Sequence, residues 1–157
     1  MTGFNHAATG ALIAALVNPV LAVPLAFASH FVLDAIPHFG WEFNDDVFKR
    51  NRTKTFRAAV ALETVLVTTA LIFLPIILWP TVDWWITLLV MLSALFMDLV
   101  WVYRGIREEI TKKVKPRNKI MNIHLNVSHH HPHFPLGTIF ELLYFAVALS
   151  LILLIAK

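Results

Sequence analysis

Three runs of about twenty residues carry almost no charge, and they constrain this chain more than anything else. Ala58 to Trp79 has Glu63 as its one formal charge, Trp84 to Tyr103 has Asp98, and Gly137 to Ala156 has Glu141. Such runs match the roughly 30 Å hydrocarbon core of a bilayer when coiled as helices. Composition agrees. Hydrophobic residues are 58% of the chain and charged residues 15%, against about 25% charged in soluble domains. A soluble domain of 157 residues has too little interior for that much apolar surface. Lipid removes the problem.

Two shorter apolar segments precede these runs. Ala7 to Val17 ends at Asn18-Pro19, and Pro24 to Ile36 ends at Pro37. A proline at Pro24 suits the first turn of a helix, and Pro37 pushes Ile36 out of helical geometry. The reading is therefore all-α: a polytopic membrane helical bundle with four to five short membrane segments, in one integral-membrane domain over residues 1–157. Segments one and two are either short spans or a hairpin that re-enters on one side.

Charge orients this bundle. Of thirteen Lys and Arg residues, five lie between Lys49 and Arg57, seven between Arg104 and Lys119, and the last is Lys157. Both runs flank apolar segments, as juxtamembrane loops on the cytoplasmic side do. The sequence thus predicts a multi-pass inner-membrane protein with a cytoplasmic N-terminus and with loops 39–57 and 104–136 on the cytoplasmic side. The net charge of +3 is explained by these loops and predicts no nucleic-acid partner. Membrane lipid is the expected partner, with the loop cations available to anionic headgroups. The first ten residues have no Lys or Arg, so they lack the basic region of a signal peptide. There is no cysteine, which excludes disulfides and thiolate metal sites.

Polar residues in apolar helices are costly and tend to be functional. Under this topology they gather at one face. His6 opens the first segment. His30, Asp34 and His38 follow one another at four-residue spacing and share one helical stripe. The two outer histidines of that stripe start about 12 Å apart, too far for one ion, so Asp34 between them would bridge two. Asp98 lies in segment four, Glu141 opens segment five, and His124, His129, His130, His131 and His133 lie in the last cytoplasmic loop. Imidazole and carboxylate together suit zinc and similar divalent ions. The candidate metal ligands are His6, His30, Asp34, His38, Asp98 and members of His129, His130 and His131. Asp98 and Glu42 are the candidate general bases. Each has a plainer reading: a helix-packing hydrogen bond for His30 or Asp98, a solvated loop face for Glu42, and a hydrated loop for the histidine run.

With those residues in view, the segment 6–40 resembles the N-terminal part of small bacterial membrane proteins grouped as membrane-bound metal-dependent hydrolases. The likeness rests on His6 in a Thr/Gly/Ala-rich start, on His30, and on Asp34-Ala35-Ile36-Pro37-His38. Phe96-Met97-Asp98 and a histidine-bearing segment before the last helix fit in outline. A more distant likeness is to zinc-dependent phospholipases C, in the style of the His/Asp cluster. The resemblance implies a divalent-metal cofactor, zinc the expected ion, and hydrolysis of a phosphoester or lipid-like substrate at the cytoplasmic face. Two other classes fit the residues: a structural or assembly subunit without catalysis, and a metal-binding or metal-transport membrane protein.

Overall fold

The computed structural model describes residues 1–36, 38, 54–111, 119, 122 and 136–157. Among them six helices form a bundle: α1 (Gly3–Leu16), α2 (Pro19–Asp34), α3 (Lys54–Leu78), α4 (Trp84–Ala94), α5 (Phe96–Thr111) and α6 (Leu136–Ile155).

Helix α1 is the axis of the molecule and packs against α2, α3, α4 and α6. Its sequence explains how. Ala7, Ala8, Ala11 and Ala14 are buried, and Gly10 lies between them. A Cβ at Gly10 would stand 2.7 Å from the Met91 Cα and 3.1 Å from the Val90 carbonyl oxygen. The α1 and α4 backbones therefore come within a distance that only glycine permits. Small residues at such crossings give close van der Waals packing, the main attraction between helices where no water is displaced.

A two-residue turn, Val17-Asn18, folds α2 back along α1 as a hairpin. The Asn18 side chain accepts from the Val20 amide at 3.0 Å, and Pro19 takes the first helical position, where no amide hydrogen is needed. Helix α2 thus starts five residues before the position expected from the sequence, and Pro24 lies inside it.

The expectation of four to five membrane segments is overturned. Among the described residues two helices are long and apolar enough to cross a membrane: Arg57–Leu78 within α3 and Leu136–Ile155 in α6. A third span exists only if α4 and α5 count as one, and they are bent by 63° at their junction. The single segment expected over 84–103 is thus a broken pair. Helices α1 and α2 have 14 and 16 residues, or about 21 and 24 Å, short of the hydrocarbon thickness. The exposed apolar side chains of α3 and α6, among them Leu62, Phe73, Leu142 and Leu154, form the surface that two or three long apolar helices present in a membrane protein.

Candidate metal centre

The first turn of α1 brings polar groups of four helices together. An α-helix starts with amide hydrogens that have no partner within the helix. Thr2, at the cap position, makes no capping bond with its side chain. Two carboxylates from elsewhere replace it: the Thr2 amide donates to Glu141 Oε1 of α6 at 3.2 Å, and the Phe4 amide to Glu63 Oε1 of α3 at 3.3 Å. The Asn5 side-chain amide donates to the Glu141 carbonyl at 3.3 Å. Carboxylates there also complement the positive end of the helix dipole.

One turn further, His6 meets the end of α2. Its Nε2 lies 3.0 Å from Asp34 Oδ1, and His30 Nε2 lies 3.1 Å from Asp34 Oδ2. The two imidazoles stack with centroids 4.0 Å apart and planes 24° apart, so their nitrogens face the same carboxylate. The Met1 amino group also contacts Asp34 Oδ1. His6 and His30 are 0% exposed and Asp34 3%.

The donor set suits a metal ion. One ligand atom from each of His6, His30 and Asp34 lies within 4.8 Å of the others. Two ligands on a tetrahedral zinc, with arms of about 2.0–2.1 Å, stand about 3.3 Å apart, close to the His–Asp separations. The orientation of His30 is fixed from behind: its Nδ1–H donates to the Ala94 carbonyl at 2.9 Å. That leaves Nε2 as the metal-facing nitrogen, the arrangement that backbone carbonyls impose on ligating histidines. Ala94 is the last residue of α4, and the break after it turns this carbonyl toward α2. His6 Nδ1 is buried and has no hydrogen-bond partner among the described residues.

The remaining candidates divide. Asp98 is near the start of α5, within electrostatic reach of His30, Asp34 and Glu63, and its buried Oδ2 has no hydrogen-bond partner among the described residues. His38 does not continue the α2 stripe, because the helix ends at Asp34. It is buried, and its Nδ1–H donates to the Ile36 carbonyl at 2.7 Å. Burial and the nearby terminal ammonium hold its pKa below the usual imidazole value. Glu42, His124, His129, His130, His131 and His133 lie outside the described residues.

Sequence reasoning paired His30 with His38 through Asp34, whereas the structure pairs His30 with His6. It also left out Glu63 as an anchor of α1. The available signal was one acid in an otherwise uncharged span, the same signal that drew notice to Asp98. Comparison with protein-family models, with curated proteins and with solved structures found no match.

Proposed function

We propose that this chain is a metal-binding membrane protein in which His6, His30 and Asp34 hold one divalent transition-metal ion, zinc being the ion their nitrogen and oxygen donors suit best. The observation that carries this reading is the convergence of three buried ligating side chains, from two helices, within 4.8 Å. A divalent ion would add to the Met1 amino group in offsetting the buried Asp34 carboxylate. The basic runs beside the apolar helices support a cytoplasmic position for this end of the bundle. A transport path asks for polar groups through the bilayer, and the long apolar faces of α3 and α6 do not favour one.

The test is elemental analysis of untagged, detergent-purified protein beside an Asp34→Asn variant. About one equivalent of zinc or another transition metal per chain, lowered roughly tenfold or more in the variant, is the expected result. No stoichiometric metal after zinc is offered at neutral pH would sink the proposal and favour a structural or assembly subunit.

One observation favours a second reading, metal-dependent hydrolysis of a phosphoester or lipid-like substrate. Asp98 keeps a buried carboxylate oxygen with no hydrogen-bond partner among the described residues, within electrostatic reach of the triad. A bound zinc would supply a hydroxide at neutral pH. The likeness of residues 6–40 to bacterial membrane-bound metal-dependent hydrolases points the same way. Asp98→Asn would then keep its metal and lose phosphodiesterase or phosphatase turnover. A variant with full turnover would remove Asp98 from the chemistry.

A further inference from the structure

Helix α5 carries two stripes on opposite sides. Phe96, Leu99, Tyr103, Ile106 and Ile110 recur at three- and four-residue spacing, so they share one side of the helix. They are between 45% and 76% exposed. On the other side Met97 and Glu108 are buried, and Trp101 and Arg104 are half-buried. There Arg104 Nε donates to Glu108 Oε1 at 2.7 Å. The protein thus covers an ion pair and leaves a continuous apolar stripe outside. In water both choices are unfavourable. Against lipid the apolar stripe is the side to expose.

The break before α5 decides how that stripe meets a bilayer. Helix α4 has 11 residues, about 16 Å, so it covers about half of a hydrocarbon core. Trp84 and Trp85 at its start are exposed, as aromatic residues at a membrane surface are. Helix α5 then turns away by 63°. Its 16 residues are about 24 Å long and advance only about 11 Å along the α4 direction. Among the described residues the helix it chiefly touches is α4. Charge completes the pattern. Arg107 is exposed and lies one turn from Tyr103 and from Ile110, at the edge of the stripe. The sequence keeps that sign, with seven Lys and Arg against two Glu between Arg104 and Lys119.

We propose that α5 is an interfacial helix that binds the surface of an anionic bilayer and does not complete a span with α4. It lies obliquely in one leaflet, with the stripe from Phe96 to Ile110 against acyl chains and Arg107 among anionic headgroups. Apolar area and basic charge act together in helices of this kind. The proposal rests on the reading of this chain as a membrane protein and needs no metal at His6, His30 and Asp34.

The chain has no cysteine, so one introduced thiol reports one place. Leu99→Cys and Ile110→Cys sample the stripe of α5. Leu62→Cys and Phe73→Cys sample the span in α3 and are also 11 residues apart. All four positions are exposed. Each full-length variant carries a thiol-linked fluorophore in vesicles of phosphatidylcholine and phosphatidylglycerol. Lipids with a nitroxide at shallow or deep chain positions quench the fluorophore and give its depth. Shallow nitroxide lipids with the two headgroups then compare anionic with zwitterionic neighbours.

The expected depth change from position 62 to 73 is about 16 Å, the rise of a span, and from 99 to 110 less than half of that. At position 110 the phosphatidylglycerol probe quenches severalfold more than the phosphatidylcholine probe. Arg107→Gln lowers that preference severalfold and Arg107→Lys keeps it, as the loss or retention of one basic residue at the surface does. A depth change over α5 equal to that over α3 would overturn the proposal and make α5 the second half of a span. So would quenching on α3 with none on α5. Equal quenching by the two headgroups, or a preference untouched in Arg107→Gln, would overturn the assignment of Arg107 to anionic lipid. No quenching at any of the four positions would overturn the membrane reading and this proposal with it.

Discussion

The Nδ1–H of His30 donates to the carbonyl of Ala94 at 2.9 Å, so a candidate metal ligand on α2 is tied to the point where α4 breaks from α5. Ligand orientation and helix break are thus one feature. If zinc holds His30 Nε2, loading should slow amide hydrogen exchange over residues 94–99, measured by mass spectrometry with zinc and with chelator. Equal exchange in the two states would count against the coupling. Replacing His30 with alanine should lower zinc affinity by about 10–100-fold and destabilise the fold by about 1–3 kcal/mol, because a buried carbonyl loses its donor.

Gly10 should be the least tolerant position of α1. A Cβ there meets the Met91 backbone at 2.7 Å, and backbone cannot swing away as a side-chain tip can. Gly10→Ala is expected to destabilise by about 1–3 kcal/mol, as overpacking does, and Gly10→Leu by more. Thermal unfolding in one detergent reads this directly. An unchanged midpoint for Gly10→Leu would show that α1 and α4 do not cross this closely.

Glu141 and Glu63 bond different amides of the same helix end. Each charged hydrogen bond is of the kind that contributes about 1.5–3 kcal/mol. Glu141→Gln keeps an acceptor and loses the charge, so its cost should lie at or below the lower end of that range. Glu63→Gln and Glu141→Gln together should cost more than either alone, since they share no bond. A double variant no less stable than either single one would show that the two acids do not anchor α1 independently.

His38 predicts a pH dependence. Its folded pKa lies below the ordinary imidazole value, because burial and the Met1 ammonium disfavour the charged form. The unfolded state then binds the proton more readily. His38's contribution is fully present above the unfolded pKa, about 6.5, and is lost as pH falls from there toward the lower folded pKa. In chelator-treated protein, His38→Gln should lessen the drop in thermal midpoint between about pH 6.5 and 5. An identical drop in both proteins would remove His38 as a cause.

Much of this molecule is determined by local sequence. The spans in α3 and α6 follow from runs of about twenty apolar residues, since only helices satisfy their own backbone in lipid. The α1–α2 turn follows from Asn18-Pro19, where a side-chain acceptor and an imino nitrogen meet the needs of a helix start. His6, His30, Asp34 and Asp98 stood out as candidates from the cost of placing such groups among apolar residues. Tertiary structure decided the rest. Residues 84–103 contain no proline or glycine, so nothing local marks the 63° bend. The bend belongs to contacts across the fold, among them the His30 bond to Ala94 and the Ser93 hydroxyl's 2.8 Å bond to the Val23 carbonyl. One partner of Asp34, His30, is local at four-residue spacing, but the second was not. Four-residue spacing pointed to His38, but a helix stripe exists only as far as its helix, and α2 ends at Asp34. The packing of α1 beside α2 brings His6 there instead.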